Sequence, residues 1–378
     1  MAQVTLGDVA IESRETYKGD KSGMPIVGLE HLIPEDVVLS LWDRDKENTF
    51  TKMFRKGDML FGRRRAYLKK AAQAPFDGIC SGDITVIRAK EDRLIPELLP
   101  FIIQNDVLFD FAVGKSAGSL SPRVKWENLK NYKFELPPLP EQKKLAEALW
   151  AINDTLQAYQ KLLIETDELV KSQFIEMFGE LDKNTKQFPV RKLNEISSYW
   201  NGLTYKPEDA VEDGTGTLVL RSSNIQNGAL AFEDNVYVNC EIKEKLFVQD
   251  NDILMCSRNG SAELVGKTAL IKGLVEPTTF GAFMMIIRSE YYSYLKTYFE
   301  TPFFRSQIST GTSTINQITG KMLNDISLPV PDMDTVRKFE SFVHQSDKSK
   351  FALQNAISAA RETKRSIIAD ALGIKGKE

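Results

Sequence analysis

At 378 residues the chain is long enough for two or three domains, each with its own core. Hydrophobic content of 42% and charged content of 27% are those of a soluble globular protein, and no apolar run approaches the ~18 residues that a membrane span needs. The formal net charge of −3 excludes a globally basic nucleic-acid binder, so any grip on phosphate must come from a local patch.

Taken in chain order, the N-terminus (MAQVTLGDVAIESRE) lacks the basic start and apolar middle of a signal peptide. Short β-branched and aromatic runs between Gly, Asn, Asp and Pro then predict strands and turns, as in Gly82–Ala89. Arg55–Lys70 holds seven basic residues against one acid, Asp58. A more helical stretch covers Ile95–Val113, and a loop rich in Gly and Ser follows at Gly114–Trp126. After Pro137-Pro138 a long helix is predicted to Phe178, carrying seven acids and four lysines from Glu141 onward.

The chain then repeats itself. An offset of 194 sets Leu129 against Leu323, Val124 against Ile318, Phe134 against Leu328 and Pro137 against Pro331. The same offset places Gly57-Asp58 opposite Asn251-Asp252 and Leu60 opposite Leu254. Nearer the starts of the halves the offset is 187, pairing LGDVA (Leu6–Ala10) with LNEIS (Leu193–Ser197). We read two homologous halves, residues 1–180 and 181–378, each a mixed α/β globule followed by one long helix of ~35 residues and ~50 Å. In the first helix Leu145, Leu149, Ile152, Leu156, Tyr159 and Leu163 recur at spacings of four and three; in the second, Phe339, Val343, Leu353 and Ile357 keep the register, with Ser346 and Lys350 interrupting it. Such a seam specifies a helical partner, because each apolar knob must enter a hole on a facing helix. The expectation is that the two helices pair with each other in antiparallel fashion about a pseudo-twofold axis.

Covalent chemistry is hard to assemble from these residues. With only two histidines, His31 and His344, there is no Ser-His-Asp set, no Cys/His cluster of metal spacing, and no metal site is expected. GSAELVGKT (Gly260–Thr268) imitates a P-loop, but five residues separate Gly260 from Gly266 and a strand follows instead of a helix. LPPLP (Leu136–Pro140) lacks the amide or acid that an amino-methyltransferase motif places before its prolines. Glu141-Gln142-Lys143 opens the long helix, where an acid complements the dipole. Cys80, Cys240 and Cys256 have no close-spaced pair and read as free thiols of a reducing cytoplasm. No catalytic residue is expected.

Donor-rich loops instead suggest a nucleic-acid reader. In the first half these offer Arg63, Arg64, Arg65, Lys69, Lys115, Ser119, Ser121, Arg123 and Lys125; in the second, Arg221, Asn224, Arg258, Asn259, Thr312, Ser313, Thr314, Asn316, Gln317 and Lys321. Guanidinium forks suit phosphate and guanine edges, Asn and Gln suit adenine, and hydroxyls beside glycine amides hold phosphates.

LPPLPEQKKLAEAL (Leu136–Leu149) and LPVPDMDTVRKFESF (Leu328–Phe342), with KGDMLFGR (Lys56–Arg63) and DNDILMCSR (Asp250–Arg258) upstream, make the chain similar over essentially its whole length to the specificity subunits of type I restriction–modification enzymes. In the second copy Asp332–Thr335 replace the usual Leu-Pro-Glu-Gln. The resemblance implies an α+β fold: target-recognition domains at 1–137 and 181–331, and conserved coiled-coil helices at 138–180 and 332–378 that separate them. It also implies a non-catalytic, cytoplasmic prokaryotic subunit that binds a bipartite, asymmetric double-stranded DNA site. Two modification subunits and restriction subunits would dock on it, bringing S-adenosylmethionine, ATP and Mg²⁺, with no cofactor on this chain and no membrane partner. The alternatives are the specificity moiety of a type IIB-like system or of an orphan methyltransferase, and a coiled-coil interaction protein with no role on DNA.

Overall fold

The computed structural model describes residues 2–212, 214–308 and 317–374. The chain divides into two compact units: Met1–Leu162 with Ala352–Glu378, and Leu163–Phe351.

In the first unit the opening strand Ala2–Thr5 pairs antiparallel with Lys133–Leu136, the segment just before the prolines, in the register Val4 to Phe134. A four-stranded antiparallel sheet follows, in the order Ala10–Glu12, Ile84–Ala89, Met59–Gly62, Ala71–Gln73. Its two inner strands are apolar at nearly every position because both of their faces are covered, and the alternation of side chains divides them between two cores. Met59, Phe61 and Ile87 face the helical side, whereas Leu60, Ile84 and Val86 face a second, three-stranded sheet of Ile26–Val27, Gly78–Cys80 and Lys52–Phe54.

The second unit repeats the plan. Val190–Lys192 pairs with Ser327–Pro329, again just before the long helix. The four-stranded sheet runs Ser198–Asn201, Met284–Arg288, Ile253–Cys256, Thr268–Leu270. Ile253, Met255, Met285 and Ile287 face one core, and Leu254, Cys256, Met284 and Ile286 the other.

The repeated Gly-Asp and Asn-Asp pairs are turn devices. Gly57 (φ +91°) and Asn251 (φ +71°) occupy the left-handed region that a side chain with a branched Cβ avoids. The aspartate that follows is buried, caps the turn and pairs with an arginine from the neighbouring strand. Asp58 accepts from the Arg55 N–H (2.8 Å) and from Arg88 Nε and Nη2 (2.7 and 2.8 Å). Asp252 accepts from the Gln249 N–H (2.8 Å) and from Arg288 Nε and Nη2 (2.6 and 2.7 Å).

The long helices span Leu139–Phe178 and Met333–Leu372, 40 residues each and ~60 Å, longer than the ~35 residues expected of each. Pro140 sits in the first turn, where a missing N–H has no consequence. Gln142, almost fully buried, fastens this end: Oε1 accepts from the Ile95 N–H (3.0 Å) and Nε2 donates to the Pro137 carbonyl (2.9 Å). Where the second copy departs from the motif, Asp332 caps the helix through the Thr335 N–H at 2.9 Å, and Val336, at the position of Gln142, is wholly buried.

The pairing of the helices is antiparallel. In the first unit Ala146 and Leu149, near the start of the first helix, share a core with Ile368 and Leu372, near the end of the second. In the second unit Phe174 and Phe178, at the end of the first helix, meet Phe339, at the start of the second, edge to face at centroid distances of 5.5 and 5.2 Å. Leu149, Leu156, Phe339 and Ile357 are buried; Leu145, Ile152, Tyr159, Leu163, Val343 and Leu353 are half-buried. The interruptions belong to the same seam: Ser346 is buried, and Lys350 Nζ reaches Asp167 (3.1 Å) and Asp347 (3.3 Å).

Candidate nucleic-acid interface

In the first unit the strand Met59–Gly62 runs out into the three consecutive arginines. The Arg63 N–H donates to the Asp83 carbonyl (3.0 Å), and the Val124 N–H donates to the Arg63 carbonyl (3.0 Å). The second loop is thereby laid across the first, with Arg64 and Arg123 facing each other as an antiparallel bridge. Val124 is buried beneath the crossing.

The second unit builds the same crossing at the offset of 194. The Ser257 and Arg258 N–H groups donate to the Phe283 carbonyl (2.9 and 3.1 Å), and the Ile318 N–H donates to the Ser257 carbonyl (2.7 Å). Arg258 and Gln317 form the bridge, with Ile318 buried below. The structure therefore brings Arg64, Ser121 and Arg123 together in one unit, and Arg258 and Gln317 together in the other.

The electrostatics of the two crossings differ. Asp83 accepts from Arg123 Nε (2.7 Å) and Nη2 (3.3 Å) and lies 3.6 Å from Arg64 Nη1, while Arg64 Nε donates to Ser121 Oγ (2.6 Å). The hydrogen bonds from Arg123 hold the Asp83 carboxyl below the usual carboxylate range against the opposing effect of burial. In the second unit the residue at that place is not an acid but Phe283, and the Arg258 guanidinium lies 5.5 Å from the centre of its ring. Arg258 and Phe283 border a cleft of ≈ 1070 Å³ with Tyr205, Arg221, Ser222 and Asn259.

The remaining predicted residues are scattered around these crossings. Arg65 is exposed with φ +53°, Lys69 pairs with Asp106 at 2.6 Å, and Lys115 lies 5.9 Å from the Phe111 ring. Arg63 turns inward, and its buried Nε has no hydrogen-bond partner among the described residues. Ser119, Lys125, Gln317 and Lys321 are exposed. Arg221 Nη2 reaches Asp234 (2.9 Å), and Asn259 Nδ2 donates to Ser222 Oγ (3.2 Å). Thr312, Ser313, Thr314 and Asn316 lie outside the described residues.

One expectation is corrected. Asn224 is completely buried; Oδ1 accepts from the Arg221 N–H (2.9 Å) and Nδ2 donates to the Ala231 carbonyl (2.9 Å) and to Asn235 Oδ1 (3.1 Å). It closes a turn and offers nothing to a ligand. Conversely, Asp83 and Phe283 escaped the sequence reading because a lone Asp or Phe before a strand carries no local signal. Their matched position, one residue ahead of strands that align at the repeat, was the available clue.

Among the described residues one group has metal-like geometry, Glu30, His31 and Asp43. His31 Nδ1 already accepts from the Gly28 N–H (2.9 Å) and Nε2 faces Asp43 (3.3 Å), so the imidazole is committed to holding a turn. The P-loop-like segment forms a short 3₁₀ turn at Ala262–Leu264 and continues into the strand Thr268–Leu270. No described helix is long and apolar enough to cross a membrane.

A model of the type I restriction modification DNA specificity domain matches residues 1–166. The EcoKI specificity subunit of Escherichia coli K12 is 27% identical over 288 residues, 67% of this chain and 61% of that protein. The chain is thus similar to the specificity subunits of type I restriction–modification enzymes. A second such subunit, the StySPI specificity subunit of Salmonella potsdam, is 26% identical over 206 residues, 51% of this chain and 44% of that protein. The chain thus spans about half the length of these relatives. The fold is that of the S subunit of the type I system from M. genitalium, at TM-score 0.56 and 14% identity over 100% of this chain and 96% of that one. A chain from a type I R-M system described for its complex assembly and conformational transition aligns at TM-score 0.56 and 20% identity over 98% and 97%.

Proposed function

We propose that this chain is the sequence-reading subunit of a type I restriction–modification complex and that it binds a bipartite, asymmetric duplex site, one half-site per unit. The observation that carries this reading is the recurrence of one loop crossing, with a bridging arginine at Arg64 and Arg258, in two units whose remaining loop sequences have diverged. A shared frame with different loop contents suits two related readers of different sequences. The chain itself supplies recognition; methyl transfer, ATP-driven cleavage and the S-adenosylmethionine, ATP and Mg²⁺ they require fall to modification and restriction subunits. Exposed apolar residues on the helices of the second unit, Ile164, Leu169, Ile175 and Phe351, support docking of such partners there.

Methylome sequencing of a host that expresses the chain with its modification partner tests the reading. The expected result is methylation at one split, non-palindromic motif. Duplex affinity should also fall steeply with salt as condensed counterions are released. Salt-independent retention on DNA, or no motif at all, would refute the proposal.

A further inference from the structure

The two crossings share a backbone but set different side chains against the bridging arginine, Arg64 or Arg258. Residues 83 and 283 each precede the strand that pairs with the arginine-bearing strand, in matching registers: Gly62 with Ile84, and Cys256 with Met284. The carbonyl of each serves the same frame, accepting the N–H of Arg63 or of Ser257. Their side chains therefore emerge at equivalent places beside Arg64 and Arg258.

What emerges is opposite in chemistry. Asp83 clamps two guanidinium groups, fixing the direction of their remaining N–H donors and offsetting part of their charge. Phe283 is 61% exposed, an unusual state for a phenyl ring at the mouth of a cleft, and carries the Arg258 guanidinium over its face. In an intact major groove the one apolar group on offer is the C5-methyl of thymine, whereas a guanine presents the acceptor pair that an arginine fork fits.

We propose that positions 83 and 283 are matching specificity determinants. Asp83 positions Arg64 and Arg123 as a fixed polar fork in one half-site, and Phe283 covers a thymine methyl next to the base edge that Arg258 reads in the other. The inference rests on the DNA-recognition reading above and adds the chemical class of base met by each unit.

The test uses the full chain and duplexes carrying the motif recovered from the methylome, with each thymine replaced in turn by deoxyuracil, which removes the methyl alone. For the wild type, one replacement in the half-site weakened by Arg258→Ala should lower affinity roughly fourfold, the worth of one buried methyl. Phe283→Ala should be indifferent to that replacement, and Phe283→Leu should keep part of the sensitivity. No sensitive thymine, or equal sensitivity in wild type and Phe283→Ala, overturns the assignment of Phe283. Asp83→Asn should steepen the salt dependence on a mixed-sequence duplex by about one unit of log–log slope per released arginine, and should shrink the penalty for mismatches in the other half-site. Asp83→Glu should restore both. A slope and mismatch penalty unchanged in Asp83→Asn overturn its positioning role. If the wild type binds no duplex in a salt-sensitive way, the DNA-recognition reading itself falls and takes this inference with it.

Discussion

The buried aspartates show how little of a residue's role is written beside it. Asp58 and Asp252 were visible as repeated turn residues, but their arginines lie 30 and 36 positions downstream, on a strand whose pairing only the fold decides. Asp252 is 1% exposed, so removing Arg288 strands a carboxylate without its counter-charge. Arg288→Ala should lower stability by about 3 kcal/mol, and pairing it with Asp252→Asn should recover much of the loss, measurable by urea denaturation. Asp83 gives a pH dependence of defined sign. Its folded pKa lies below the unfolded value of 3.8, so the stabilisation it gives is complete above that value and drains away as pH falls through the lower folded one. Denaturation midpoints should therefore drop more on acidification for the wild type than for Asp83→Asn. Arg64 was legible as a candidate because three consecutive guanidinium groups, Arg63 to Arg65, repel one another, and Arg123 and Arg258 because they stand in polar, glycine-containing loops at matched places in the two halves. Asn224 misled because the same amide that reads adenine also closes turns.

The long helices were legible in register because apolar residues alternating at spacings of four and three line one narrow stripe, which only a facing helix can cover. Their starts were less so: Gln142 looked like part of a polar helix opening, yet its amide ties the helix to the globule through contacts 47 and 5 residues away. The inner strands were recognisable as apolar runs, but nothing local told which of two cores each residue would enter. Among helical residues Phe339 is wholly buried and meets the rings of both Phe174 and Phe178. Phe339→Ala should cost about 3–5 kcal/mol, whereas Phe351→Ala, on an exposed position of the same helix, should be near neutral. Thermal and chemical denaturation of the two variants would separate a helix position that holds the core of the second unit from one that faces solvent.

For the molecule as a whole, the duplication was the most informative property of the sequence. Once the offset was known, each structural feature of one unit had a counterpart to look for in the other, and the departures became the interesting positions. The recognition scheme predicts that Arg64→Ala and Arg258→Ala weaken opposite half-sites. Competition with duplexes mutated in one half-site at a time would show this as two complementary patterns, and identical patterns would contradict the scheme. On that scheme the target bases are not legible in the sequence, since it makes recognition depend on donors presented by loops whose paths are set by distant strands.

The first unit also imposes an order on biosynthesis. Its apolar interior includes Ile368, Leu372 and Ile374, so a nascent chain emerging from the ribosome cannot close that interior until these residues have been made. The second unit, drawn from the uninterrupted stretch Leu163–Phe351, is under no such restriction. A translational stop after Phe351 should thus release a polypeptide whose leading portion remains open to proteases while the trailing portion resists them, a difference that limited proteolysis of the truncated product would record.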